Sequence, residues 1–275
     1  MNYKSIHIFR SFAALLICTA VMALAACHNE PQEPETPQGF STLEDLDGHR
    51  VGVVAGSTSD MMLSDTNNFP NVQITRFNSP NELFEAIKND SVHCGITDTA
   101  MLLGLDLEKS GMGVDFNLAG GYDVAAAFNM NQAKLRDKFN DFLVQIKSDG
   151  TFDTMLNRWC SGRTDTTYMP DMPELAKLKG RPLEVATVEG NAPFSLYRHN
   201  HWTGLEVEMM MRFSLFINRP IHFSSYRFDE VIPALRAGKV DAAAATLFIT
   251  PDRADIILFS NPYYFCKTSC ISKRR

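Results

Sequence analysis

Residues 238–264, GKVDAAAATLFITPDRADIILFSNPYY, decide how this chain is to be read. After the turn at Gly238-Lys239, the run 240–246 carries side chains too small to keep a ligand away from the backbone. Thr250-Pro251-Asp252-Arg253 has the form of a helix start: a capping hydroxyl, proline at the first helical position and an acid behind it. Free N–H groups and the positive end of a helix dipole gather at such a point. Arg253 adds a planar fork able to hold a carboxylate by two hydrogen bonds. The stretch therefore reads as a strand, a loop and a helix start arranged to grip a small carboxylate.

Working upstream, 183–188 is strand-like, 206–216 has helical apolar spacing, 221–225 is β-prone and 228–237 is a short helix ended by Gly238. Strand, loop, helix, strand, helix, strand make an α/β layer. Residues 41–162 repeat the plan. Residues 50–54 form a strand running into the loop Gly56-Ser57-Thr58-Ser59, 72–77 a second strand and 80–87 a helix; a turn at Asn89-Asp90 leads to a third strand at 92–97. ELFEAIKNDSVHCGITD (82–98) laid beside EVIPALRAGKVDAAAAT (230–246) shows the same helix, turn and strand. Two related lobes imply a cleft between them.

The ordered pattern of Asp241 to Thr246, Thr250, Arg253 and Phe259-Ser260-Asn261-Pro262-Tyr263-Tyr264 resembles the first lobe of family 3 extracellular solute-binding proteins, the periplasmic amino-acid receptors of ABC importers. The resemblance continues through Glu189-Gly190-Asn191-Ala192-Pro193-Phe194-Ser195, which matches that family's ligand-stacking loop, and through Thr203-Gly204-Leu205-Glu206-Val207-Glu208. It implies an α/β fold of the type II periplasmic binding protein kind: two lobes of mixed sheets flanked by helices, with a cleft between them. It further implies ligand contacts from Arg253, Thr246, Phe248, Thr250, Phe194 and Asn191. Tyr226 is a further aromatic expected over the ligand side chain. The first half resembles the second lobe of the same family, in which Ser57, Thr58 and Asp98 hold the places that close over the ligand. Residues 120–124 would return across the hinge, and 135–160 resembles the family's closing helices.

The order is second lobe first, first lobe last. Residues 41–275 contain about one receptor's worth of parts, which fits a circular permutant; it fits equally a piece of a longer tandem chain in which Asp98 and Arg253 never share a ligand. The expected organisation is a lipoprotein signal peptide at 1–26, a tether at 27–40, the second-lobe-like segment with its closing helices at 41–162, a linker at 163–180 and the first-lobe-like segment at 181–275.

With 275 residues, 45% hydrophobic and 21% charged, the chain is long enough for two lobes. A net charge of −6 without a basic patch gives no reason to expect nucleic acid. Lys4 and Arg10 precede an apolar run over 12–26. At ~1.5 Å per residue that run is too short for a ~30 Å bilayer core and reads as a signal peptide. Leu24-Ala25-Ala26-Cys27 resembles a bacterial lipobox, implying lipidation of Cys27 and a membrane-anchored protein of the cell envelope. Residues 28–40 are rich in proline and acid and suit an extended tether.

Cys94, Cys160, Cys266 and Cys270 allow three pairings, and the sequence selects none. His199 and His201 flank Asn200 in a hairpin tip, where turn residues outnumber metal ligands; no metal and no cofactor is expected. The expected function is reversible capture of a small carboxylate, most readily an amino acid, for an ABC permease, without chemistry. The rivals are a periplasmic prephenate or arogenate dehydratase with Glu189 as general acid, a sensor or regulatory module, and a non-binding remnant of a tandem receptor.

Overall fold

The computed structural model describes residues 39–161 and 168–274. The expected signal peptide, Cys27 and nearly all of the tether lie outside the described residues, as do positions 162–167 of the linker. Among the described residues, no helix is long and apolar enough to cross a membrane.

The first half opens with β1 (Arg50–Val54), α1 (Thr58–Leu63), β2 (Gln73–Phe77), α2 (Pro80–Lys88) and β3 (Cys94–Asp98). Two one-turn helices, α3 (Thr99–Leu102) and α4 (Leu107–Ser110), lead to β4 (Met112–Asn117). Local sequence accounts for the boundaries. Ser79 caps α2 by accepting the Glu82 N–H at 3.3 Å, with Pro80 in the first turn, and Asp90 takes up a left-handed φ of 61° at the turn into β3.

The chain then passes through β5 (Tyr122–Val124) and β6 (Ala127–Phe128) into two long helices, α5 (Ala133–Ser148) and α6 (Thr151–Trp159). The second half runs β7 (Leu183–Thr187), β8 (Leu196–Arg198), β9 (His201–Thr203), α7 (Leu205–Phe216), β10 (Ile221–Ser225), α8 (Phe228–Arg236), β11 (Ala242–Ala243) and α9 (Pro251–Ala254). It ends with β12 (Leu258–Phe259), β13 (Tyr264–Cys266) and β14 (Thr268–Lys273). His199 and Asn200, with φ of 50° and 67°, form the two-residue turn of the β8–β9 hairpin, and both are exposed.

The two five-stranded sheets have one topology. The first is ordered β2-β1-β3-β14-β4 and the second β10-β7-β11-β6-β12. In each, three strands from one half of the chain run parallel, and a strand from the other half inserts antiparallel beside the third. Thus β14 lies between β3 and β4, with Thr268 opposite Asp98 and Ser272 opposite Cys94. Reciprocally, β6 lies between β11 and β12. The passages between lobes, β5 and β13, pair antiparallel with each other.

Because the strands are exchanged, spatial lobes do not coincide with sequence halves. Helices α5 and α6, which follow the first half in sequence, pack on α7 of the second. Phe139 and Phe142 meet Phe213 with ring centroids 4.9 and 5.5 Å apart. Glu208 on α7, with no exposed surface, accepts from Arg158 at 2.6 Å, from the Trp159 indole at 2.7 Å and from Arg212 at 2.8 Å. A buried carboxylate needs partners of this kind to offset its lost hydration. The residues from Gly39 onward form one compact unit.

Cys94, Cys160, Cys266 and Cys270 are free thiols. Burial pushes Cys160 up to about 11, so it remains protonated at neutral pH.

Candidate ligand-binding cleft

The 82–98 and 230–246 segments that match in sequence end at Asp98 and Thr246, and these two positions meet at the cleft. They line, with Ser57, Asn191 and Phe228, a cavity of about 30 Å³ between the lobes. One lobe supplies Val54, Ser57, Pro80, Ile96, Asp98 and Met101; the other supplies Val188, Asn191, Phe228, Ala245 and Thr246.

Arg253 sits in α9, whose start is capped by Thr250, its hydroxyl accepting the Arg253 N–H at 3.4 Å. The side chain is 6% exposed. Its Nη1 donates to the Phe248 carbonyl at 3.1 Å and its Nη2 donates across the cleft to the Gly56 carbonyl, also at 3.1 Å. The guanidinium carbon stands 5.5 Å from the centre of the Phe228 ring. Burial lowers the Arg253 pKa, opposed by the charge of Asp98. The protein around the Asp98 carboxyl pushes its pKa up to about 7, opposed in turn by Arg253. A cation from one lobe and a carboxyl from the other thus act on each other in a site that water barely enters.

Thr246 adopts a left-handed φ of 51°, unusual for a β-branched residue. Its N–H donates to Glu206 Oε1 at 2.8 Å, and its hydroxyl accepts from Asn191 Nδ2 at 2.9 Å. Glu206 is fully buried, and the same Oε1 accepts from the Tyr263 hydroxyl, while Oε2 has no partner among the described residues. Burial raises its pKa to about 7. Tyr263 immediately precedes β13, so one carboxyl oxygen joins the cleft loop to the hinge.

The other expected residues fall at several places. The Thr246 N–H is engaged by Glu206, and Thr250 caps α9 as the Thr-Pro sequence implies. Phe194 has no exposed surface; its ring packs edge-on against Tyr264, 5.2 Å between centroids, inside the core, and does not cover the cleft. Phe248 contributes its carbonyl to Arg253, while its ring stacks on Tyr122 at 4.8 Å by the hinge. Thr58 lines a separate cavity of about 410 Å³ near the first residues of the body and the 116–122 loop. Asp98, Ser57, Asn191 and Thr246 are together at the cleft, and Ser57 also caps α1 by accepting the Asp60 N–H at 3.1 Å.

Sequence reasoning missed Phe228, Pro80 and Glu206. Phe228 and Pro80 occupy equivalent places, two residues before the aligned glutamates that begin the repeated segments, so the repeat contained a signal for both. The role of Glu206 had no local signal, since its partners lie 40 and 57 positions away.

The lobes are closed. A methyl group placed on Gly104 would come 2.5 Å from Ala192 Cβ, and one on Gly190 or Gly56 would come 3.0 Å from Asn81 or Asp229. A space of about 30 Å³ holds little more than one water. Any amino acid would therefore need the lobes to part about the β5–β13 strands.

These features define a two-lobed α/β protein with a hinged cleft and opposed charged groups. Comparison with known proteins agrees: residues 183–275 match the model for bacterial extracellular solute-binding proteins, family 3. A candidate ABC transporter arginine-binding protein 2 of Escherichia coli (strain K12) is 32% identical over 91 residues, 33% of this chain and 37% of that protein. The ABC transporter arginine-binding protein 1 of the same organism is 27% identical over 129 residues, 44% of this chain and 51% of its own length. Among solved structures, an ancestral arginine-binding protein bound to arginine is 30% identical over 32% of this chain and 38% of that chain, with a TM-score of 0.30. The chain spans about half or less of the curated relatives it matches.

Proposed function

We propose that this protein is a solute-binding receptor that captures an amino acid between its two lobes and delivers it to an ABC permease, anchored to the membrane by a lipid on Cys27. The observation that carries the reading is the bond from Arg253 Nη2 across the cleft to the Gly56 carbonyl, with the Asp98 carboxyl of the opposite lobe within its electrostatic reach. On ligand entry the guanidinium exchanges that carbonyl for the ligand carboxylate, and Asp98 takes the α-ammonium. Closure then excludes water, which strengthens both charged bonds. A micromolar Kd requires only about −8 kcal/mol. The relatives named for arginine binding support an amino-acid ligand, and the exchange of β6 and β14 favours one receptor built from both halves.

The enzyme reading has weaker support, because Glu189 is solvent-exposed and does not line the cavity. The test is a calorimetric titration with the twenty amino acids, repeated on Arg253→Ala and Asp98→Ala. Micromolar binding lost in both variants sustains the proposal. Absence of binding to a folded protein overturns it, and product formed from prephenate would turn it toward an enzyme.

A further inference from the structure

We infer that the cleft selects an α-amino acid with an apolar side chain over one with a charged side chain. The inference rests on the amino-acid reading above and deepens it.

Among the residues lining the cavity, Asp98 alone carries a formal charge. In the proposed binding mode Asp98 and Arg253 are consumed by the backbone ammonium and carboxylate of the ligand. What then faces the ligand side chain is Val54, Ile96 and Met101 from one lobe and Val188, Phe228 and Ala245 from the other. The other lining groups are neutral: Asn191 donates to the Thr246 hydroxyl, the Ser57 hydroxyl accepts the Asp60 N–H, and Ser59 and Thr97 add uncharged hydroxyls.

Of the acids near the cleft, Glu206 does not line the cavity and stands behind Thr246, whose N–H it accepts along with the Tyr263 hydroxyl; Asp60 and Asp229 are already paired. Asp60 is 8% exposed, and its oxygens accept from the Gly56 N–H at 2.9 Å, the Ser64 hydroxyl at 3.2 Å and Arg76 at 2.8 Å. Asp229 pairs with Arg227 at 3.0 Å. A guanidinium, ammonium or second carboxylate on the ligand side chain would thus be buried among apolar and neutral polar groups without a partner of opposite charge. That arrangement is among the most costly in a protein interior. An apolar side chain meets no such cost and gains from the same lining.

The experiment is isothermal titration of the full chain, in mild detergent, with L-valine, L-leucine, L-methionine, L-arginine, L-lysine and L-glutamate, alongside Met101→Glu. We expect the best apolar amino acid to bind at least about thirtyfold more tightly than any charged one. In Met101→Glu, checked for folding by thermal melting, that ratio should fall about tenfold or more for L-arginine and L-lysine, because the new carboxylate supplies the missing partner. A charged amino acid binding to the unmodified protein as tightly as the best apolar one overturns the inference and leaves the amino-acid reading standing. If none of the six binds to folded protein, a further titration of the remaining amino acids separates the two failures. A polar binder among them overturns only the apolar preference, and no binder at all overturns the amino-acid reading along with it.

Discussion

The Arg253 guanidinium donates to the Gly56 carbonyl across the cleft at 3.1 Å, although the two residues are 197 positions apart and belong to opposite lobes. The side chain proposed to hold a ligand carboxylate thereby also bonds one lobe to the other.

Arg253→Ala should weaken amino-acid binding by about 30-fold or more, since truncating one side of a buried charged pair costs about 2–5 kcal/mol. Arg253→Lys should recover little, because a point charge does not reproduce a two-pronged donor. Calorimetry on both variants checks this.

Asp98 should make binding depend on pH. Its pKa is raised to about 7 in the folded protein, so the charged form that would hold an ammonium is lost as pH falls through 7. Affinity should therefore decline from pH 8 to pH 6, and Asp98→Asn should bind weakly with a flattened profile. Titrations at several pH values decide the matter.

Glu206 affects stability with the opposite slope. Its folded pKa of about 7 lies above the unfolded value, so its contribution is fully present below the unfolded pKa and is lost as pH rises through 7. Glu206→Gln keeps an oxygen acceptor for Thr246 and Tyr263 and cannot ionise. The variant should melt higher than the unmodified protein at pH 8 and gain less at pH 5, as measured by thermal unfolding.

Gly104→Val should oppose closure. Even a Cβ at this position would approach Ala192 Cβ to 2.5 Å and the Ala192 carbonyl oxygen to 2.8 Å. We expect about a tenfold loss of affinity with a small change in melting temperature, because the clash lies between lobes.

Glu208→Ala should destabilise the protein by about 3–5 kcal/mol, since Arg158, Trp159 and Arg212 lose a shared, fully buried acceptor. Denaturant unfolding measures it. The same variant tests whether α6 is held to α7 by this carboxylate.

Much of the architecture was legible before any coordinates. Strands β1, β3 and β7, helices α2 and α8, and the capped turn before Arg253 all follow from short-range patterns: alternating or continuous apolar runs, Ser79-Pro80, and Thr250-Pro251, whereas α5 was expected only from the family resemblance. The repeat of helix, turn and strand announced two lobes because each copy is a local unit. The site was only partly legible. Asp98 and Arg253 stood out by type and motif, but Phe194 follows the motif and lies in the core, while Phe228, marked only by its place in the repeat, lines the cleft.

Sequence by itself determined the repeated α/β units and the capped helix start that carries Arg253, because helices, turns and caps depend on neighbours a few positions apart. Tertiary structure alone decided that the lobes exchange strands, since nothing local in 268–273 specifies a place between β3 and β4 rather than at a sheet edge. It also decided which groups share the cleft. Arg253 meets Gly56, and Glu206 meets Thr246 and Tyr263, through long-range packing in which buried polar groups must find partners, and that requirement appears only once the chain has folded.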